Sequence, residues 1–271
     1  EFRRVLFRSP VQAAAWGHPV TTGLATMDYF LSSALMEPAN GDMHYCEKLV
    51  RLPGLSVCYQ TLPAGDGAIT RKDMGLRDDA VVYLCCQTHM KYRPQDDGLI
   101  AKIAAKVPRA QFLFIGAPNS PTTAVLVRRL TAAFAKEGVE AADRLVMSPF
   151  VPSSKFPAML KLADVYLDSL SWSGGNTSLE AATAELPMVT MPGRFMRGRH
   201  TAAVLKILGL EEFIGADADA YVELAVRLGK NPRLRRSTRE RMAAAKERLF
   251  NDLSGVRALE GFLEAAVRSG K

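Results

Sequence analysis

From residue 76 to the C-terminus, short apolar runs alternate with segments that have the spacing of amphipathic helices. Each run is apolar throughout rather than at every second position, which is typical of strands covered on both faces. Such alternation predicts a Rossmann-like α/β fold, in which a parallel sheet carries helices on both sides. The predicted strands are 81–86, 111–115, 145–147, 165–167 and 188–191, and the predicted helices between them are 96–107, 121–137, 154–163, 176–185 and 200–208.

The two ends of the chain differ from this alternating region. Three more helices are predicted after it, near 218–229, 233–249 and 254–268. Residues 11–75 are rich in turn-forming residues and indicate only one short strand, 27–31, which is too little for an independent core. We expect this segment to be the end of a preceding domain, joined through a linker at 63–75. Residues 1–10 lack an initiator Met and resemble a non-native leader.

The charge balance restricts the partners that the chain could bind. Its formal net charge is +7, which favours anionic ligands, a class that includes nucleotide-sugar diphosphates and nucleic acids. We expect no nucleic-acid partner, because the sequence has no nucleic-acid-binding motif and no basic run interleaved with aromatic residues. No apolar run reaches about 18 residues and no signal peptide is evident, so we also expect no membrane partner.

The cysteines add little chemistry to this picture. Their positions, 46, 58, 85 and 86, do not include the CxxC spacing of zinc and redox sites. We therefore expect reduced, buried thiols in a cytoplasmic protein rather than disulfides or a zinc site.

A glycine-containing turn connects the fourth predicted strand to a helix. In an open α/β sheet, ligands bind beyond the carboxyl ends of the strands, where free amides and the helix dipole form a phosphate site. Gly174 and Gly175 would let backbone amides approach a phosphate, and Asn176 begins the helix. The Thr177 hydroxyl would add a donor, while the Glu180 carboxylate would accept hydrogen bonds from ribose hydroxyls. Thr177-x-x-Glu180 is equally a capping box, which stabilises a helix start without any ligand.

Three further loops follow strands of the same predicted sheet. Gln87 and Lys91 come after the first strand, where the ammonium group could offset charge on a departing diphosphate. The loop 192–201 holds three arginines and a histidine, and guanidinium groups match phosphate geometry. Prolines in the loop 148–152 hold an extended backbone that could contact a base edge. Each is an ordinary surface loop when taken alone, but the carboxyl ends of parallel strands converge on one crevice.

Together these residues resemble the catalytic region of the O-GlcNAc transferase and SPINDLY family, glycosyltransferases of the GT-B class. The segments 17–29 and 47–49 are similar to the end of the family's N-terminal catalytic lobe. The segment 187–193, Pro-Met-Val-Thr-Met-Pro-Gly, closely resembles the family's sequence at the corresponding positions. The resemblance implies that 11–75 completes the first lobe. It also implies that 76–271 is the nucleotide-sugar-binding lobe, whose final helix returns to the first.

The resemblance implies a role for individual residues as well. Lys91 matches a lysine on the donor diphosphate, and Val151 lies in a loop whose backbone contacts the base. His18 would face the cleft between the lobes, although a structural histidine in a Gly- and Pro-containing turn is an equal alternative. The implied catalytic residues are Lys91 and His18, and the implied donor-binding residues are Gln87, Val151, Gly174, Gly175, Asn176, Thr177, Glu180 and Arg199.

Some positions depart from the pattern of the animal enzymes. Gly175 and Asn176 replace a His and a Thr, and Glu180 replaces an Asp ribose ligand. Ser153 and Phe156 replace a Lys and a His that contact the nucleotide. UDP-GlcNAc, UDP-glucose and GDP-fucose all occur as donors among related enzymes, and UDP-GlcNAc is our expectation.

The resemblance implies an inverting transferase that moves a sugar onto Ser or Thr of proteins. We predict no metal, because no carboxylate cluster has the spacing of a metal site. The family's tetratricopeptide repeats, which bind the acceptor protein, and the beginning of its first lobe do not occur here. We therefore expect a fragment that is inactive alone. The alternatives are a non-catalytic nucleotide-binding or scaffold module, and another GT-B nucleotide-sugar enzyme such as an epimerase.

Overall fold

The computed structural model of the protein describes residues 9, 11–62, 65, 67–117 and 119–269. The predicted leader therefore lies outside the described residues apart from Ser9, as do residues 63, 64 and 66 of the predicted linker. Two parallel sheets form in the described part of the chain. Their strands are β1 (Ala13–Ala15), β2 (Tyr29–Ser33), β3 (Lys48–Leu52), β4 (Val81–Cys85), β5 (Ala110–Ile115), β6 (Leu145–Ser148), β7 (Val165–Leu167) and β8 (Met188–Val189).

The larger sheet has the doubly wound topology that the alternation predicts. Its strand order is β6-β5-β4-β7-β8, and all neighbouring strands pair in parallel. The chain moves outward from β4 to β6, then crosses back to β7 beside β4 and moves outward again to β8. The order of winding thus reverses between β4 and β7, which is where open α/β sheets form their ligand crevice.

Helices cover the larger sheet and extend beyond it. They are α1 (Asp97–Lys106), α2 (Pro121–Lys136), α3 (Phe156–Leu162), α4 (Asn176–Thr183), α5 (His200–Ile207), α6 (Ala218–Lys230), α7 (Pro232–Ala245) and α8 (Ser254–Arg268). Tyr83, Phe112 and Tyr166 on the central strands are fully buried, and the rings of Tyr83 and Phe112 stack with centroids 5.1 Å apart. Residues covered on both faces explain why the strand runs are apolar throughout. The α/β fold prediction is confirmed.

The N-terminal segment has more structure than its sequence indicates. The predicted strand at 27–31 lies two residues further on, as β2, and it pairs with β1 and β3 to give a three-stranded parallel sheet. The strand β1 is three alanines, which have little intrinsic preference for a strand, so pairing with β2 determines its conformation. Phe30 on β2 is fully buried and packs in the same core as the larger sheet.

A buried carboxylate holds the turn that precedes β2. Glu47 accepts hydrogen bonds from the Thr21 hydroxyl at 2.6 Å and from the Thr22 amide at 2.7 Å, and also from the Thr22 hydroxyl. Burial alone would raise the pKa of Glu47, but these hydrogen bonds outweigh it and lower the pKa to about 2. The ionised carboxylate therefore stabilises this turn at neutral pH.

The last helix packs against the N-terminal sheet. The ring of Phe262 on α8 meets Tyr29 of β2 edge to face, with ring centroids 4.9 Å apart. At the start of α8, Gly255 lies so close to the backbone of Ser56 that a Cβ atom would come within 2.9 Å of its carbonyl carbon. The helix α8 therefore lies against the N-terminal sheet.

The four cysteines differ in their burial. Cys85 and Cys86 are buried as predicted, but Cys46 is exposed and Cys58 is only half-buried, because both lie in connections of the small N-terminal segment. The prediction of buried thiols is wrong for these two.

Among the described residues, no helix combines the length and the apolar character needed to cross a membrane.

Candidate functional site

Two loops meet at the point where β4 and β7 lie side by side. After β4, the chain forms a 3-10 turn, His89–Lys91, instead of an irregular loop. The ammonium group of Lys91 donates to Gln87 Oε1 at 2.8 Å and to the carbonyl oxygen of Ser173, in the loop after β7, at 3.2 Å. Lys91 therefore connects the two loops across the crevice.

The loop after β7 presents free amides at the start of α4. A Cβ atom on Gly174 would overlap the Tyr166 hydroxyl and approach Ser178 Oγ to 2.5 Å, so only glycine allows this close packing. The backbone amides of Gly175, Asn176 and Thr177 donate to no residue that the structure describes. Free amides at a helix N-terminus, with an ammonium group beside them, form an anion-binding site.

The capping box considered for this helix does not form. The N-cap residue is Gly175, and no side chain caps the helix. The Thr177 hydroxyl instead accepts a hydrogen bond from Gln87 Nε2, which also donates to the Tyr166 hydroxyl at 3.0 Å. The capping interpretation is wrong because Thr177 lies inside the first turn and its hydroxyl faces the neighbouring strand. Its hydroxyl and Gln87 instead form part of the crevice floor.

The Glu180 carboxylate has no hydrogen-bond or ion-pair partner among the described residues. It is half-buried, and this burial raises its pKa. A partly desolvated carboxylate without a partner can accept hydrogen bonds from hydroxyl groups of a ligand. Its position on the second turn of α4 places it next to the anion-binding amides.

A buried aspartate holds the same loop from below. Asp168 Oδ1 accepts from the Gly174 amide at 2.9 Å, and Oδ2 accepts from the hydroxyls of Ser173 and Thr190, both at 2.7 Å. Burial raises the pKa of Asp168, while these three hydrogen bonds act in the opposite direction. Asp168 was not among the site residues predicted from the sequence. The pattern that could have indicated it is a carboxylate placed directly after an apolar strand.

Burial and nearby charge act on the pKa of Lys91 in opposite directions. Burial lowers its pKa, and the nearby Asp168 carboxylate raises it. The ammonium nitrogen is also 5.6 Å from the centre of the Trp172 ring, close enough for a cation–π contact. The side chain is thus held in the crevice by polar groups on one side and an aromatic face on the other.

The basic loop after β8 forms the far side of the crevice. Arg199 donates to the Gly193 carbonyl at 3.1 Å, whereas its buried Nε has no partner among the described residues. Burial lowers the pKa of Arg199, and the buried Glu37 carboxylate raises it. Arg194 and Arg197 instead lie over the ring of Phe195, so they do not join Arg199 in one cluster.

Comparison with known proteins identifies the family. Residues 60–258 match the model of glycosyl transferase family 41, which covers more than half of the chain. The chain belongs to this family. The resemblance that the sequence motifs indicate is therefore confirmed.

Individual family 41 relatives agree with this assignment. A probable UDP-N-acetylglucosamine–peptide N-acetylglucosaminyltransferase SPINDLY from Solanum lycopersicum is 28% identical over 240 residues, covering 87% of this chain and 25% of that protein. An O-GlcNAc transferase mutant from Thermobaculum terrenum is 30% identical with a TM-score of 0.79, covering 97% of this chain and 48% of that chain. This chain therefore spans about a quarter of the plant relative and about half of the bacterial one.

A more distant structure shares the fold alone. The pneumococcal O-GlcNAc transferase GtfA, in complex with UDP and GlcNAc, is 14% identical with a TM-score of 0.53. The match covers 88% of this chain and 45% of that chain. Together with the Thermobaculum terrenum structure, it confirms the GT-B fold.

Two of the predicted site residues, Val151 and His18, lie apart from the anion-binding amides. Val151 is half-buried in an extended segment after β6, which is three strands from β7 and hence about 14 Å to the side. His18 is exposed in the turn after β1, where its Nδ1 is 2.8 Å from the carbonyl oxygen of Val20. Neither contacts Lys91. Among the described residues, no three His, Cys, Asp or Glu side chains cluster closely enough to hold a metal ion.

Proposed function

We propose that this chain forms the donor-binding part of a protein O-GlcNAc transferase that uses UDP-GlcNAc. The observation that carries the proposal is the anion-binding site at the start of α4, with Lys91 beside it. The similarity to a probable UDP-N-acetylglucosamine–peptide N-acetylglucosaminyltransferase supports this donor and a protein acceptor. Acceptor binding by N-terminal repeats outside this chain is part of the proposal.

The nucleotide lies along the crevice in this proposal. Its diphosphate occupies the amides of Gly175, Asn176 and Thr177, and the Glu180 carboxylate accepts from the ribose hydroxyls. The base extends toward the backbone of Val151, because the loop after β6 lies at the same carboxyl edge of the sheet as the loop after β7 that carries these amides. The unpartnered Nε of Arg199 gives a further donor on the opposite side.

Transfer requires stabilisation of the departing diphosphate. A Ser or Thr hydroxyl oxygen attacks the anomeric carbon from the face opposite the diphosphate, the bond from that carbon to the phosphate oxygen breaks, and inversion follows. The electron pair of the broken bond remains on the leaving UDP. Lys91 and the free amides of α4 stabilise this negative charge electrostatically, a role that a metal ion fills in other transferases.

The attacking hydroxyl also loses a proton, and His18 is the candidate acceptor. A carbonyl oxygen only accepts hydrogen bonds, so the contact with Val20 requires that Nδ1 of His18 carries the hydrogen. In the neutral tautomer with its hydrogen on Nδ1, Nε2 carries the free lone pair that a general base needs. His18 lies two residues after Trp16, whose ring packs against His200 at the crevice.

Calorimetric titration of the chain with UDP, GDP and UDP-GlcNAc tests the proposal. We expect UDP and UDP-GlcNAc to bind, and Lys91→Ala and Glu180→Ala to weaken binding about tenfold or more each. Lys102→Ala and Glu223→Ala are the matched controls, because both side chains are exposed on helices outside the crevice. A folded chain that binds none of these nucleotides, or that binds them equally well without Lys91, would contradict the proposal.

A further inference from the structure

A second helix begins beside the anion-binding amides and carries a histidine at its first position. Gly175 is the N-cap of α4, and His200 is the first residue of α5. Nδ1 of His200 lies 3.9 Å from the position that a Cβ atom on Gly175 would occupy, and nothing else described lies within 4 Å of that position. The absence of a side chain at Gly175 thus leaves the imidazole facing the start of α4.

The imidazole of His200 is held in place without a hydrogen bond. Its ring packs edge to face against Trp16 from the N-terminal segment, with ring centroids 5.1 Å apart. Neither ring nitrogen has a hydrogen-bond partner among the described residues. A mostly buried polar ring that lacks a protein partner can gain its missing hydrogen bond from a ligand.

Burial and the neighbouring cation keep the ring neutral. Burial, together with the ammonium group of Lys91, lowers the pKa of His200 to about 4. At neutral pH the ring therefore carries one N–H donor and one acceptor nitrogen. A neutral donor beside Lys91 can bind an anion without the repulsion that a second cation would cause.

We propose that His200 binds the donor diphosphate, donating a hydrogen bond from its imidazole to a phosphate oxygen. The inference rests on the proposed donor site and adds a residue contributed by α5 to the amides of α4. Since Trp16 fixes the ring, contact between the N-terminal segment and the crevice also orients this donor.

Calorimetric titrations of UDP and uridine against variants of the full chain test this role. We expect His200→Ala to weaken UDP binding about tenfold, the usual loss for a hydrogen bond to a charged group. His200→Asn, which retains a side-chain N–H donor, should recover part of that loss. Lys206→Ala, an exposed position on the same helix, should bind UDP like the wild type. Uridine, which lacks phosphates, should bind equally to the wild type and to His200→Ala.

The results separate this inference from the proposed function. If Lys91→Ala weakens UDP binding but His200→Ala does not, His200 is not a diphosphate ligand and the donor site stands. An equal loss for UDP and uridine would also overturn the inference, because the ring would then act on the nucleoside. If the folded wild type binds no UDP, the donor-site proposal itself fails. Imidazole ¹⁵N resonances of His200 in the unaltered chain should shift on addition of UDP, a readout that requires no substitution.

Discussion

The most specific prediction concerns the stability of the Asp168→Ala variant, because this one buried carboxylate holds the loop after β7. Replacing it with Ala removes the acceptor for the Gly174 amide and for the hydroxyls of Ser173 and Thr190. The Ser173 hydroxyl retains a partner, since Thr201 Oγ1 lies 2.8 Å away. The Gly174 amide and the Thr190 hydroxyl would remain buried without an acceptor.

The magnitude follows from these two groups. Each buried donor left unsatisfied costs about 1–3 kcal/mol, so the expected loss in the free energy of unfolding for Asp168→Ala is about 4 kcal/mol. Asp168→Asn keeps an acceptor for the Gly174 amide and should lose about 1–2 kcal/mol. Thr190→Val removes one hydroxyl and leaves the other two hydrogen bonds, so about 1 kcal/mol is expected.

Urea unfolding, followed by circular dichroism, measures these losses in the nucleotide-free chain. Asp219→Ala is the control, because that carboxylate is highly exposed on α6. The predicted order of stability is control, Thr190→Val, Asp168→Asn and Asp168→Ala. A loss below about 1 kcal/mol for Asp168→Ala would refute the view that this carboxylate holds the loop.

Further predictions concern the turn before β2, the phosphate loop and the candidate base. The pKa of Glu47 is about 2 in the folded chain and near 4.5 when unperturbed, so its stabilisation is complete above 4.5 and lost as pH falls toward 2. Glu47→Gln should remove about 2 kcal/mol of the stability difference between pH 7 and pH 3 in urea unfolding; an equal difference in the variant and the wild type would argue against this role. Gly174→Ala should cost about 1–3 kcal/mol and weaken UDP binding, because the methyl group overlaps the Tyr166 hydroxyl; unchanged stability would contradict this packing. In a transfer assay of the intact enzyme, with the acceptor-binding region present, His18→Ala should lower kcat and leave donor affinity unchanged; an unaltered kcat would exclude it as the base.

Most of the fold could be predicted from the sequence because it depends on continuous apolar runs. The five predicted strands of the larger sheet occur within two residues of their expected bounds, since each run is buried on both faces and has no competing helical spacing. The strands β1 and β3 could not be predicted in this way. Ala13–Ala15 has no strand preference of its own, and only pairing with β2, distant along the chain, defines it.

Part of the candidate site could likewise be predicted from the sequence, and part could not. Lys91 and the start of α4 could be brought together from the sequence, because the loops that follow parallel strands share one edge of the sheet. The failure of the capping box depends on where the Thr177 hydroxyl points, which requires knowledge of Gln87 in the loop after β4. The approach of His200 to Gly175 depends on the register between two helices, and no local pattern encodes that register.

The position of bound UDP tests the central claim most directly, and a crystal structure of the chain with UDP would give it. We expect phosphate oxygens within hydrogen-bond distance of the amides of Asn176 and Thr177 and of the Lys91 ammonium group. We also expect ribose hydroxyls beside Glu180. A diphosphate bound away from the start of α4, with Lys91 still paired to Ser173 and Gln87, would contradict it.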